Sequence, residues 1–117
     1  MLALDNTKTT DKGIESLKGM AKLSYLRLSG TSITDDGLRR LSGLPALETV
    51  DLRQTKVTNV GLKHLKELRN LKFVYVDKTN VTQEGIDELR RALPDVDTDV
   101  EGPLPLRIRK RQQPINP

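Results

Sequence analysis

Apolar, glycine and threonine positions recur along the chain at a step of 24 residues. A fixed period of this length is typical of repeat proteins, in which each unit stacks on the next and shares its core. The columns in one register are Gly13, Gly37, Gly61 and Gly85; Thr7, Thr31, Thr55 and Thr79; and Leu17, Leu41, Leu65 and Leu89. The 117 residues therefore form about four such units, within a single domain.

Within each unit, a short alternating segment is followed by a segment with apolar residues at three-residue steps. Leu26-Arg27-Leu28 and Val50-Asp51-Leu52 alternate apolar and polar residues, which predicts half-buried strands. The steps of three predict helices with one buried stripe. These stripes are Leu38, Leu41 and Leu44, and Leu62, Leu65 and Leu68. A threonine stands before each helix, at Thr34, Thr58 and Thr82, and we expect its hydroxyl to cap that helix.

The segment LSYLRLSGTSITDDGLRRLSGLPALETVDLRQTKVTNVGLKHL resembles the leucine-rich repeat family, in the subclass whose helices start with Ile/Val-Thr-Asp-x-Gly-Leu. The resemblance covers residues 2 to about 96. It implies an α/β fold: a curved right-handed solenoid with a short parallel sheet on the concave face and helices on the convex face. Because the family binds very diverse partners, it also implies a protein-interaction module without naming the partner.

The two ends of the predicted repeat body differ from its middle. Met1 stands directly before the strand Leu2-Ala3-Leu4, so the first unit begins within a motif and its edge strand would be unpaired. We expect either a piece of a longer array or self-association through this edge. At the other end, Val96, Thr98 and Val100 alternate with Asp95, Asp97, Asp99 and Glu101, which predicts a charged terminal strand. The repeat domain is thus predicted to span residues 1–101, followed by a disordered, proline-containing basic tail at 102–117.

Charge and composition narrow the class of protein. The formal charge is +4, but four of the 20 basic residues lie after residue 100 with one acidic residue, leaving 16 basic against 15 acidic groups in the repeat body. The chain has no cysteine and no apolar run of membrane-spanning length. We therefore expect a cytoplasmic protein whose basic character belongs to its tail.

Few residues have the chemistry that catalysis requires. The single histidine, His64, stands alone on a predicted helix, and no cysteine or second histidine completes a nucleophilic or metal site. The glycines are isolated at helix starts, which is typical of close packing rather than of phosphate binding. We predict no enzyme activity, no cofactor and no metal site, with loose cation binding by the acidic run at Asp95–Asp99 as the alternative.

The outward strand positions offer the best candidates for binding a partner. All three aromatic residues, Tyr25, Phe73 and Tyr75, are predicted there, either as interface anchors or stacked on their neighbours along the sheet. The 24-residue step places Arg27 beside Asp51, and Arg53 beside Asp77, as expected exposed ion pairs. The predicted partner-binding set is Tyr25, Arg27, Asp51, Arg53, Phe73, Tyr75, Asp77, Asp97 and Asp99. The acidic members near the C-terminal end make a basic peptide the natural complement.

The sequence leaves several functions to compare. The first is a non-catalytic module that binds a protein or peptide through the concave sheet face. The alternative assigns the function to Arg107, Arg109, Lys110 and Arg111, which would anchor the module to nucleic acid or an anionic membrane surface. A third hypothesis folds this tail back over the acidic end of the sheet.

Overall fold

A computed structural model of the chain describes residues 1–99, and these form a single parallel sheet backed by helices. The sheet has five strands, which follow one another in chain order and pair in parallel. They are β1 (Leu2–Ala3), β2 (Tyr25–Arg27), β3 (Thr49–Asp51), β4 (Phe73–Tyr75) and β5 (Asp97–Thr98). The register steps by 24 residues, so that Leu26 is opposite Val50 and Val50 is opposite Val74. The α/β solenoid predicted from the repeat is confirmed.

Each strand leads through a turn to a helix on the other side of the core. The α-helices are α1 (Asp11–Ile14), α2 (Asp35–Arg40), α3 (Asn59–Leu62) and α4 (Gln83–Ala92). The first three continue as 3₁₀ turns over Glu15–Leu17, Leu41–Gly43 and Lys63–Glu67. The leucine spacing agrees with this, because steps of three fit the three residues per turn of a 3₁₀-helix. In α4 the spacing Ile86, Leu89, Leu93 alternates three and four, and this segment remains α-helical.

The hydrophobic core lies between the sheet and the helices and runs through all the coils. Leu26, Val50 and Val74 from the strands are 0% exposed, as are Leu41 and Leu65 from the helices. In the last coil Thr98 takes the equivalent strand position and is also buried. Each coil therefore buries its apolar face against its neighbours, which explains why the apolar columns repeat in sequence.

Two sets of threonines make different hydrogen bonds. Thr31, Thr55 and Thr79 donate their hydroxyls to the carbonyl three residues earlier, at 2.6–2.7 Å. Each of these hydroxyls therefore satisfies a carbonyl in the turn of its own coil. The set predicted to cap the helices is at the N-cap position, but only the Thr58 hydroxyl accepts a hydrogen bond from its own helix, from Val60 N–H at 3.1 Å. The prediction of hydroxyl caps was therefore wrong for Thr34 and Thr82.

Those hydroxyls instead contact the first helical residue of the preceding coil. Asp35 accepts from the backbone N–H of Thr58 at 2.7 Å and from its hydroxyl at 2.6 Å. The same two bonds join Thr34 to Asp11, and Asn59 makes the equivalent contacts with Thr82. The N–H groups at the start of a helix have no intrahelical partners. Here a carboxylate or amide in the preceding coil accepts the hydrogen bond from the N–H of the N-cap threonine.

A residue with positive φ follows the strand in each of the first four coils. The angles are 56° at Asn6, 71° at Gly30, 60° at Gln54 and 59° at Lys78. These four positions are again 24 residues apart. The turn from strand to helix therefore imposes a left-handed backbone conformation at a fixed place, which glycine adopts most readily.

The last strand of the described chain, β5, is an edge strand of the sheet. The predicted alternation is confirmed for Val96 and Thr98, which are buried, while Asp95 is exposed. The Asp99 carboxylate accepts from Val76 N–H at 2.6 Å and from Asp77 N–H at 3.4 Å. In earlier coils the N–H groups equivalent to that of Val76, at Leu28 and Leu52, donate to a backbone carbonyl instead. Val100, Glu101 and the predicted tail at 102–117 lie outside the described residues.

At the N-terminal edge, β1 pairs on one side with β2, and Met1 is 75% exposed. Among residues 1–99, no helix is long and apolar enough to cross a membrane.

Candidate protein-binding face

The sheet turns one side toward the core and the other toward the concave surface of the solenoid. Side chains alternate along each strand, so that Leu26 is buried while Tyr25 and Arg27 are half-buried on the opposite side. The backbone register aligns these concave positions across the strands. One row contains Tyr25, Thr49, Phe73 and Asp97, and the next contains Arg27, Asp51 and Tyr75. Asp99 follows directly after the end of β5. The concave side chains that follow are Ser29, Arg53 and Asp77. We call these three rows the concave face.

The three aromatic residues lie on the concave face, each half-buried. The rings of Phe73 and Tyr75 are tilted by 41°, with their centroids 4.4 Å apart. The Arg53 guanidinium carbon is 4.9 Å from the centroid of the Tyr75 ring, which is a cation–π distance. Phe73 and Tyr75 thus contact each other within one strand, β4, rather than across neighbouring strands.

Asp51 is the most buried polar residue of the face, at 1% exposure. Its carboxylate accepts from Arg53 at three atoms: the backbone N–H at 3.1 Å, Nε at 3.0 Å and the terminal nitrogen Nη2 at 2.7 Å. The Arg53 side chain itself remains 45% exposed. A two-pronged bond of this kind fixes the guanidinium in one orientation over the sheet.

The two ion pairs predicted along the face are not formed, because each arginine pairs with a different carboxylate from the one expected. Arg27 does lie opposite Asp51 in the register, but its guanidinium pairs with Asp5. Arg53 pairs with Asp51 rather than with Asp77. Asp51 was also expected to be exposed. Because it is buried, it can contribute to partner binding only by fixing the orientation of the Arg53 side chain. The sequence prediction did not include Asp5, because it paired only residues directly opposite each other on neighbouring strands. Diagonal neighbours about 7–8 Å apart are also within reach of an arginine side chain.

The pKa values on the face follow from these contacts. The hydrogen bonds with Asp51, followed by the charges of Asp51 and Asp99, raise the pKa of Arg53 well above its usual value, so that it remains a cation. Burial raises the pKa of Tyr25 above its ordinary value of 10.0, and the neighbouring Tyr75 and Asp51 raise it further. The Tyr25 hydroxyl is therefore neutral near neutral pH and shares its surroundings with the buried carboxylate.

The C-terminal half of the face has an excess of carboxylates. Asp77 is exposed, and it forms no ion pair with any residue in the described part of the chain. Asp97 and Asp99 are half-buried in the following strand segment. A shallow cavity of about 190 Å³ lies at this end, lined by Ser29, Arg53, Gln54, Asp77 and Lys78. The structure thus brings together all the predicted binding residues, with Asp51 beneath the others.

The single histidine and the acidic side chains were the remaining candidates for chemistry. His64 lies in the 3₁₀ turn after α3, half-buried and away from the sheet. Within the same residues, no three acidic or histidine side chains are grouped closely enough to hold a metal ion.

Comparisons with known proteins agree with the architecture. The family model described as Leucine Rich repeat matches residues 19–42. A chain in the structure of the Chaetomium Mex67:Mtr2 subunits is similar with a TM-score of 0.63 and 17% identity, over 84% of this chain and 75% of that one. A leucine-rich-repeat protein of Leptospira interrogans is similar with a TM-score of 0.54 and 18% identity, over 74% of this chain and 27% of that one. No curated protein shows significant sequence similarity to the chain.

The described residues have the fold of a leucine-rich-repeat solenoid: the Leucine Rich repeat model matches residues 19–42, and the two solved structures are similar in fold.

Proposed function

We propose that the chain is a non-catalytic interaction module that binds a protein or peptide through its concave face. The observation that carries the proposal is the position of Tyr25, Phe73 and Tyr75 on that face, since none of the three is needed for the hydrophobic core. Aromatic side chains contribute large contact areas at low conformational-entropy cost, and they are enriched at the energetic centres of interfaces.

The arrangement around Arg53 supports the same proposal. Its guanidinium is already held by Asp51 and Tyr75, so little freedom is lost when a partner contacts it. Binding by pre-organised groups costs less free energy than binding by groups that must first be ordered. Arginine and tyrosine are also among the residues that most often dominate binding energies.

The experiment is affinity capture from a nuclease-treated source lysate with three forms of the chain. The first is the wild type, and the second carries Tyr25→Ala, Phe73→Ala and Tyr75→Ala. The third is a matched control on the helical side, with Val60→Ala, Lys63→Ala and Glu67→Ala, all at exposed positions. Neither set changes the net charge. Thermal unfolding followed by circular dichroism checks that all three forms fold.

Partners that are lost only from the aromatic variant are the predicted result. If the aromatic variant retains the same partners as the wild type, the binding site lies on the helical side or in the tail, and the proposal is wrong.

A further inference from the structure

The contacts of Arg53 show which side chains of the concave face hold a guanidinium group. Its guanidinium has a carboxylate on one side, with two N–H bonds to Asp51, and lies 4.9 Å from the Tyr75 ring centroid on the other. Carboxylates and aromatic rings are the two kinds of group that attract an arginine or lysine side chain. The face thus already holds one guanidinium, supplied by the chain itself.

Further groups of the same kind remain on the face beyond this internal pair. The three rows of the described concave face contain two cations, Arg27 and Arg53, which are paired with Asp5 and Asp51. A third cation, Lys78, lines the cavity next to Asp77. Three more carboxylates follow toward the C-terminal end, at Asp77, Asp97 and Asp99. The Asp99 carboxylate accepts hydrogen bonds from the backbone N–H groups of Val76 and Asp77. The net charge of the face is therefore negative, and the excess lies next to Phe73 and Tyr75.

We infer that the segment bound by the concave face is basic, with a lysine or arginine side chain placed between Asp77 and the aromatic pair Phe73 and Tyr75. This inference rests on the proposed function. Tyr75 and Asp77 are two residues apart on the same side of the sheet, so a single long side chain reaches both. A surface with this charge attracts a cationic segment and repels an anionic one.

The negative charge of the concave face also disfavours single-stranded nucleic acid, whose bases stack on aromatic residues. A single-stranded nucleic acid needs a cationic groove beside the rings to follow its phosphates. Here the two arginines of the face are paired within the chain, and the exposed carboxylate of Asp77 repels a phosphate. A phosphorylated peptide is disfavoured for the same reason.

The test uses a library of short random peptides displayed on phage, selected on the full wild-type chain and in parallel on the Tyr25→Ala, Phe73→Ala, Tyr75→Ala variant. Peptides enriched on the wild type alone are then synthesised. Their affinities are measured by fluorescence anisotropy for the wild type, for Asp77→Asn and for Asp87→Asn. Asp87 is an exposed residue of α4 on the helical side, so its substitution makes the same charge change away from the face.

The inference predicts enriched peptides with an excess of lysine and arginine, whose affinity falls by up to about fivefold in Asp77→Asn and not in Asp87→Asn, as for an exposed ion pair. Added salt should weaken the wild-type complex. Enriched peptides without basic residues, or basic peptides unaffected by Asp77→Asn, overturn the inference but leave binding at the face intact. If the aromatic variant enriches the same peptides as the wild type, or if neither form enriches any, the proposed function fails as well.

Discussion

Asp35 in one coil accepts two hydrogen bonds from Thr58 in the next, from its backbone N–H at 2.7 Å and from its hydroxyl at 2.6 Å. This contact joins adjacent coils outside the hydrophobic core. It also provides an acceptor for the Thr58 N–H at the start of α3, where no intrahelical partner exists. The repeating Asp, Asn and Thr positions are therefore part of the mechanism by which the coils stack.

Removal of this carboxylate should lower stability. We expect Asp35→Ala to reduce the free energy of unfolding by about 1–3 kcal/mol, because it leaves the Thr58 donors without their partner. Asp35→Asn should cost less, since Asn59 makes the equivalent contacts with Thr82. Urea unfolding followed by circular dichroism measures both variants. Equal stability of Asp35→Ala and the wild type would show that the contact contributes nothing.

Two glycines of the 24-residue column, Gly13 and Gly61, should respond differently to replacement by alanine. A Cβ at Gly61 would lie 2.9 Å from the Asp35 Cα, whereas a Cβ at Gly13 would meet nothing closer than Thr9 Cγ2 at 3.5 Å. We expect Gly61→Ala to destabilise the fold by about 1–3 kcal/mol through overpacking. Gly13→Ala should be neutral or stabilise by up to about 1 kcal/mol, because alanine favours a helix. Thermal unfolding that ranks the two variants the other way would contradict the packing described here.

The left-handed turn offers a stabilising substitution. Gln54 has a φ of 60°, at the position where the preceding coil has Gly30. Replacement by glycine should raise the free energy of unfolding by about 0.5–1 kcal/mol, since glycine avoids the steric cost of this conformation. Gln54→Ala is the control and should give no such gain. A destabilised Gln54→Gly variant in urea unfolding would indicate that the Gln54 side chain makes a contact worth more than the backbone strain.

Tyr25 should make the fold sensitive to alkaline pH. Its pKa is raised in the folded chain, chiefly by burial and also by Tyr75 and Asp51. The resulting stabilisation is fully present below the unfolded value of 10.0 and is lost as the pH rises through the folded pKa. The wild type should therefore lose stability relative to Tyr25→Phe as the pH rises above about 10, while their difference stays constant at lower pH. Parallel unfolding curves of the two proteins over this range would contradict the assignment.

The sequence was sufficient for the elements that repeat and insufficient for side-chain partners. Leucine columns, strands and the concave position of Tyr25 follow from a single period, because backbone pairing fixes the register of every coil. The partner of Arg27 does not follow, since a long side chain chooses between opposite and diagonal neighbours according to its rotamer. The burial of Asp51 was missed for the same reason: it depends on Arg53 folding back along its own strand.

The most direct test of binding at the concave face is chemical-shift mapping on the ¹⁵N-labelled full chain, with a peptide selected on the wild type. The account predicts that the largest backbone shifts occur at β2–β4 and at Arg53 and Asp77, with small shifts along α2 and α3. Shifts concentrated on the helices or after residue 99 would place the binding site elsewhere and contradict the central claim.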